Sequence, residues 1–527
     1  KPLSRPRSAP NSSSSSTVSL SPDFDAFAAC YNFGRPQVVS TKQVADLDTP
    51  VSAYLKLADG RANSFLLESV EGGSVRGRYS IIGFKPDVIW RCRKGQAEIN
   101  RRAQTNAQAF ETLDGRPLET LRHLIRECQM ELPAGLPPMA SGLFGFLGYD
   151  MVRDMERLPD ENPDPIDLPD AIMVRPTLIC IFDRLEDNVT LVTPAWPMPG
   201  VSARVAYEAA QERLTDAMSD FERALPPRGD DAAALDALPE PQANMSKDDF
   251  KRMVETCKEY IRAGDAFQIV PSQRFSLPFR LPPLSLYRSL RRINPSPFLI
   301  FFDYGDFQIV GSSPEILVRL RDNIVTIRPL AGTIRRGATP EEDRQLADKL
   351  LADPKEHAEH LMLLDLARND VGRVAKIGSV RVVEQFTIEK YSRLQHISSH
   401  VEGTIEDGLD AIDALKAGFP AGTLSGAPKV RAMEIIDEVE PVRRGIYAGC
   451  AGYFAANGSM DTCILLRTAL VKDDVMYVQA GVGVVADSDL EAEFQESVLK
   501  ARALVDAAEE AVRFASAGQW SAGNTRR

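Results

Sequence analysis

Two pairs of glutamates have the spacing most suited to chemistry. Glu356 and Glu359 stand three residues apart, Glu493 and Glu496 repeat the interval, and Lys500 follows four residues later. Residues three or four apart share one face of a helix, so each pair would aim two carboxylates in one direction. A hard divalent cation, most naturally magnesium, takes one or two protein carboxylates and fills its remaining positions with water and an anionic ligand. Structural uses of the same residues are also legible. Glu356 falls at the N3 position of a capping box opened by Asp353, and Glu496 with Lys500 makes an ordinary i, i+4 surface pair. Glu359 and Glu493 are not explained in that way.

Other motifs are weaker. Gly481-Val482-Gly483-Val484-Val485-Ala486 matches the dinucleotide fingerprint G-x-G-x-x-A. That motif needs a following parallel strand with an acid about 20 residues on, and here the position falls within a helix, so the dinucleotide reading is rejected. What remains is a glycine backbone that an anion, such as a substrate carboxylate, can approach closely. His357 and His360, flanked by Leu and Met, read as a packed helix face rather than a metal site. His396 stands alone, and spacing does not separate a catalytic imidazole from a core histidine. The seven cysteines are odd in number and contain no C-x-x-C, which points to a reducing compartment and indicates neither a disulfide framework nor a zinc knuckle.

The elements that must hold these residues follow from periodicity. Helices are predicted over 248–263, 339–351, 353–367 and 490–511, two of them opened by an N-cap residue, a proline and early acids. On the last, the stripe Phe494, Val498, Ala501 and Val505 lies beside the acids, which places them at the edge of a buried surface. Strands are predicted over 268–275, 307–310, 324–327, 462–471 and 475–479, making this half α+β with a large antiparallel sheet. Shorter alternating runs at 64–70, 79–82 and 172–182 mark a sheet-rich region over 40–192. The predicted layout is a disordered tail at 1–22, that region at 40–192, a linker at 226–242, a catalytic region at 246–512 and a tail at 513–527.

Composition narrows the function. The chain has 527 residues, enough for several domains or one large composite, with 44% hydrophobic and 26% charged residues. No run of about 18 apolar residues exists to span a membrane. The net charge is −12 and the pI near 5.2, with Lys and Arg scattered, so no nucleic acid partner is expected and an anionic ligand would need a local positive site. The Ser-, Pro- and Arg-rich start has no apolar core of a secretory signal. Its acid-poor composition also suits a plastid transit peptide, so the expected address is cytoplasmic with a plastid as the alternative.

Several ordered segments together resemble the chorismate-utilising enzymes, and among them the branch that forms anthranilate. They are Leu66-Leu67-Glu68-Ser69, Arg78-Tyr79-Ser80, Asn294-Pro295-Ser296-Pro297, Gly311-Ser312-Ser313-Pro314-Glu315, Pro329-Leu330-Ala331-Gly332-Thr333, Asp365-Leu366-Ala367-Arg368-Asn369-Asp370, Gly426-Ala427-Pro428-Lys429 and Gln479-Ala480-Gly481-Val482-Gly483. The resemblance implies a fold of two apposed antiparallel sheets wrapped by helices, with the active site in the cleft between them. It implies Mg²⁺ held by Glu359 and Glu496, with Glu356 and Glu493 placing the metal's waters. Arg467, Tyr447 and the backbone of Gly481, Val482 and Gly483 would hold substrate carboxylates, Gly332, Thr333 and Thr423 would line the pocket, and Lys500 would add positive charge. Glu315 would protonate the leaving C4 hydroxyl, which requires a raised pKa, and His396 would serve the elimination of pyruvate.

Two positions bear on the product. Water-adding relatives carry a lysine base where this chain has Gln268, and aminodeoxychorismate synthases tend to carry a lysine nucleophile where it has Ala331. The resemblance therefore implies ammonia as nucleophile and C2 of chorismate as its target. The alternatives are an aminodeoxychorismate synthase and a non-catalytic regulatory chorismate-binding module. Glu68, Ser69, Pro297, Phe298 and Leu299, with Tyr453 and Cys463, match a tryptophan feedback site. No G-x-C-x-G nucleophile turn is present, so ammonia is expected from a separate glutamine amidotransferase subunit.

Overall fold

The computed structural model describes residues 19–68, 77–225, 237–391 and 394–523. Two long strands organise it. Tyr79–Arg93 and Ala171–Asp183 pair antiparallel along their length, with Pro86 opposite Pro176. Proline offers no N–H to a ladder, and the register slips there between Pro86 and Val88. Asp87 and Arg175 bridge the slip with two contacts of 2.8 Å.

The two ends of these strands belong to different sheets. One sheet continues through Ser64–Glu68, Phe298–Asp303, Phe307–Ser313, Thr468–Lys472, Val475–Gly481 and Ser272–Pro278, with Asn188–Ala195 and Gln37–Val44 on its other flank. The second runs through Gly142–Leu147, Cys450–Ala455, Met460–Ile464, Ile316–Arg321, Ile324–Ile327 and Leu394–Thr404. Leu330–Arg335 and Arg381–Lys390 both pair with that last strand. All these pairings are antiparallel. The sheets meet face to face over one buried cluster, including Phe65, Phe144, Phe146, Phe302 and Ile309. The helices Phe24–Asn32, Ala203–Glu222, Pro283–Ile293 and Leu490–Gly523 cover the outside of the first sheet, and Pro117–Glu127, Pro354–Gly372 and Ala411–Gly418 that of the second. This is the expected α+β fold. Ser64–Glu68 sits between Tyr79–Arg93 and Phe298–Asp303, so 40–192 and 246–512 share their sheets.

Some boundaries differ from the sequence reading. The strand expected over 462–471 is two, Met460–Ile464 and Thr468–Lys472, interrupted where Arg467 takes φ 49°. The apolar Leu465 and Leu466 conceal that break in the sequence. The strand expected over 268–275 also divides: Gln268–Ile269 pairs with Gly426–Ala427, and Ser272–Pro278 with Val475–Gly481. Both interruptions fall at candidate site residues. At the end of the expected tail, Ser21 exchanges backbone hydrogen bonds of 2.9 and 2.8 Å with Ser40. Residues 226–236 of the expected linker lie outside the described residues, but its end forms an edge strand, Gln242–Ala243, on Ser272–Pro278. The last helix continues to Gly523, into the segment read as a tail. Among the described residues no helix is long and apolar enough to cross a membrane.

Candidate active site

Helices Pro354–Gly372 and Leu490–Gly523 bring the four glutamates together. Asp353 caps the first through the N–H groups of Lys355 and Glu356 at 2.9 and 3.2 Å. The reciprocal bond of a capping box is not formed, which corrects that reading of Glu356. Its carboxylate turns instead toward Gly332, where an added Cβ would lie 3.0 Å from Oε2. Burial, then neighbouring carboxylates, raise the pKa of Glu356, which feels Glu359 and Glu496. Burial raises Glu359 and Glu493 too, with Glu496 adding to each. Such mutual repulsion marks carboxylates facing a common space. Lys500 offsets part of it, bonding Glu496 at 2.7 Å and the Gly481 carbonyl at 3.1 Å.

Gln268 closes this space from the sheet side. It is 3% exposed and its side chain hydrogen-bonds Glu359. A Cβ on Gly483 would lie 2.7 Å from Gln268 Nε2 and 4.0 Å from Glu359 Oε1, so any side chain there would push the Gln268 amide from its place. The glycine loop is less open than its sequence suggests. The Val482 N–H donates to the Pro271 carbonyl at 3.1 Å, and the Gly481 backbone bonds the Tyr447 hydroxyl. Gly483 N–H is the donor of the three with no such partner among the described residues.

A second group lies on the other sheet. Glu315 is 7% exposed, and burial pushes its carboxyl up to about 8 despite the lowering pull of the Leu330 backbone, the Thr423 hydroxyl and Arg467. Thr423 Oγ1 stands 3.5 and 3.4 Å from the two carboxyl oxygens. Burial first, then Arg467, push His396 down to about 4, so the ring is neutral at pH 7. Its Nδ1 lies 3.1 Å from the Gly332 carbonyl and 3.0 Å from Thr333 Oγ1. A carbonyl only accepts, so Nδ1 carries the hydrogen and Nε2 a lone pair. That Nε2 is buried with no protein partner, an open bonding position. His357 and His360 pack against Phe386, and His360 bonds Ser399 at 2.7 Å, so that pair is structural.

Between the sheets lies a cavity of about 580 Å³, lined by Glu68, Pro297, Phe298, Leu299, Tyr453 and Cys463. Glu315 forms part of its wall. Ser69 lies outside the described residues. The Glu68 carboxylate is already held by Tyr287 and Arg291 at 2.6 Å each and by Arg184 at 3.0 Å. Arg319, Arg328, Glu384 and Glu389 also line the cavity. Their separate places in the sequence give no signal of it, because the cavity forms only when two sheets meet.

Residues 80–506 match the chorismate binding enzyme family. The chain belongs to that family. It is 59% identical over 492 residues to anthranilate synthase component 1 of Cereibacter sphaeroides, covering 93% of this chain and 98% of that relative. It is 47% identical over 473 residues to the Pseudomonas putida protein of the same name, covering 88% and 94%. The crystal structure of anthranilate synthase component I from Streptococcus pneumoniae superposes with a TM-score of 0.72 at 35% identity, covering 88% of this chain and 98% of that one. The menaquinone-specific isochorismate synthase of Escherichia coli, at 19% identity and TM-score 0.67 over 90% and 95%, shares the fold.

Proposed function

We propose that this chain is the chorismate-using component of an anthranilate synthase, joining ammonia to chorismate and releasing pyruvate as the first committed step toward tryptophan. The observation that carries the choice within the family is Gln268, a neutral amide packed against Glu359 where water-adding relatives have a lysine base. An amide cannot deprotonate water, whereas ammonia needs no base to attack. Ala331 likewise offers no amine to attack chorismate, against the aminodeoxychorismate reading.

The donor set fits magnesium. Two facing carboxylate pairs would leave a hard cation room for water and substrate, and among the described residues no three His, Cys, Asp or Glu side chains already converge on one point. A magnesium ion held by Glu359 and Glu496, with Glu356 and Glu493 placing its waters, would draw electron density toward the ring carboxylate of chorismate. Arg467, Tyr447 and the Gly483 N–H bind the carboxylates. Gly332, Thr333 and Thr423 shape the pocket around the ring, and Lys500 adds its charge at the mouth. As ammonia bonds to C2, the C4–O bond breaks and Glu315 passes its proton to the departing oxygen. His396 then takes the C2 proton on Nε2, the C3–O bond to the enolpyruvyl group breaks as the ring becomes aromatic, and the enolate that leaves takes up a proton to become pyruvate.

Ammonia would come from a separate glutamine amidotransferase subunit, anthranilate synthase component II, in keeping with the component 1 names of the relatives. The cavity between the sheets would bind tryptophan as a feedback inhibitor. Anthranilate fluorescence tests the reading: the purified chain should produce it from chorismate, Mg²⁺ and ammonium, and stop when the metal is chelated. No anthranilate, or a rate indifferent to chelation, would contradict it.

A further inference from the structure

Behind the candidate site, Arg444 is 3% exposed and each nitrogen of its guanidinium donates a hydrogen bond. Nη1 donates to the Leu424 carbonyl and Nη2 to the Val270 carbonyl, both at 2.6 Å. Nη2 also meets Glu440 Oε1 at 2.7 Å, while Nε reaches Oε2 at 3.0 Å. Glu440 in turn accepts from the N–H and hydroxyl of Ser272 at 2.8 and 2.7 Å. The Tyr447 ring lies beneath the guanidinium at 5.4 Å.

Each contact ends next to a residue assigned to chemistry. Leu424 follows Thr423, which bonds Glu315. Val270 ends the segment that begins at Gln268, and its N–H donates to Ser425 at 3.0 Å, joining the same two segments again. Tyr447 bonds the backbone of Gly481, whose strand pairs with Ser272. These segments lack regular partners where they leave the sheets, so their carbonyls need another donor. A planar fork of five N–H groups can hold two carbonyls and a carboxylate at fixed angles, and a lysine cannot.

We propose that Arg444, held by Glu440, is a positioning residue that sets the Thr423, Gln268 and Tyr447 segments in register for the reaction. This rests on the anthranilate synthase reading above. Its loss leaves the substrate and the acid in reach but misplaced, and misplacement by about 1 Å can cost on the order of a hundredfold in rate.

The test measures kcat, the chorismate KM and thermal melting for Arg444→Lys beside Arg175→Lys, which weakens another mostly buried bidentate pair at the strand bend. With both variants folded, Arg444→Lys should lose roughly tenfold to a hundredfold in kcat and raise KM, while Arg175→Lys keeps wild-type kinetics. Equal losses in both, or an Arg444→Lys loss no larger than its unfolded fraction, would overturn the proposal. If Arg444→Lys does not fold, Glu440→Gln decides, since it keeps Arg444 and the size of its partner but removes the carboxylate that grips the fork. A lowered kcat at unchanged melting supports positioning, and wild-type kcat refutes it. Wild type making no anthranilate would instead strike the underlying reading.

Discussion

Glu315 keeps a proton at neutral pH because it is buried, and the protein spends stability to hold it so. Unfolded, the carboxyl ionises near its ordinary 4.5; folded, it does so at about 8. Between those values the unfolded state binds fewer protons, so this group lowers stability as pH rises from 4.5 to 8. Glu315→Gln removes that cost while removing the acid. It should abolish turnover yet raise stability at pH 7 by up to about 3 kcal/mol, measured by denaturant titration. A destabilised variant would show that the carboxyl is not buried neutral. The same pKa predicts that kcat, expressed per unprotonated NH₃, falls above pH 8. Among the glutamates, Glu359→Gln or Glu496→Gln should abolish activity with the protein folded, because each removes a charge facing the cation. Undiminished turnover at saturating Mg²⁺ would remove those residues from the metal site.

The elements position these groups through interruptions in regular structure. Leu330–Arg335 slips register between Ala331 and Thr333, leaving Gly332 at φ 66° with its carbonyl on His396 and Glu356 against its α-carbon. Gly332→Ala would need a strained left-handed residue and push on Glu356. It should cost about 1–2 kcal/mol in stability and lower kcat more than melting accounts for. Wild-type kinetics would mean the bulge is only structural. Such interruptions were the least legible features of the sequence. The capped start at Asp353 and the apolar stripe from Phe494 placed the starts of the helices carrying Glu356 and Glu493 within a residue, but the second, expected to end at 511, runs on to Gly523. Periodicity ran straight through Arg467, because Ile464, Leu465 and Leu466 read as one strand. Arg444 and Glu440 carry no local signal either, as an i, i+4 pair after a helix reads as surface, and only long-range packing buries it.

At the scale of the molecule, the bend at Pro86 and Pro176 turns one pair of strands into two sheets and so creates the space between them. Candidate feedback residues from 67–68, 297–299, 453 and 463 line that space, and Glu315 borders it. Tryptophan should therefore inhibit the chain, and Phe298→Ala, which removes a half-buried ring from the lining, should weaken inhibition about tenfold with little effect on uninhibited turnover. Inhibition unchanged in that variant would place the effector elsewhere. Motifs spread over most of the chain made the family legible, but the cavity and its charged wall appear only when distant strands meet. The most direct test of the whole account is a chromatographic product trace of His396→Met supplied with chorismate, Mg²⁺ and ammonium. Amination precedes elimination, so the account predicts accumulated aminodeoxyisochorismate with little anthranilate. Untouched chorismate in that folded variant would contradict it.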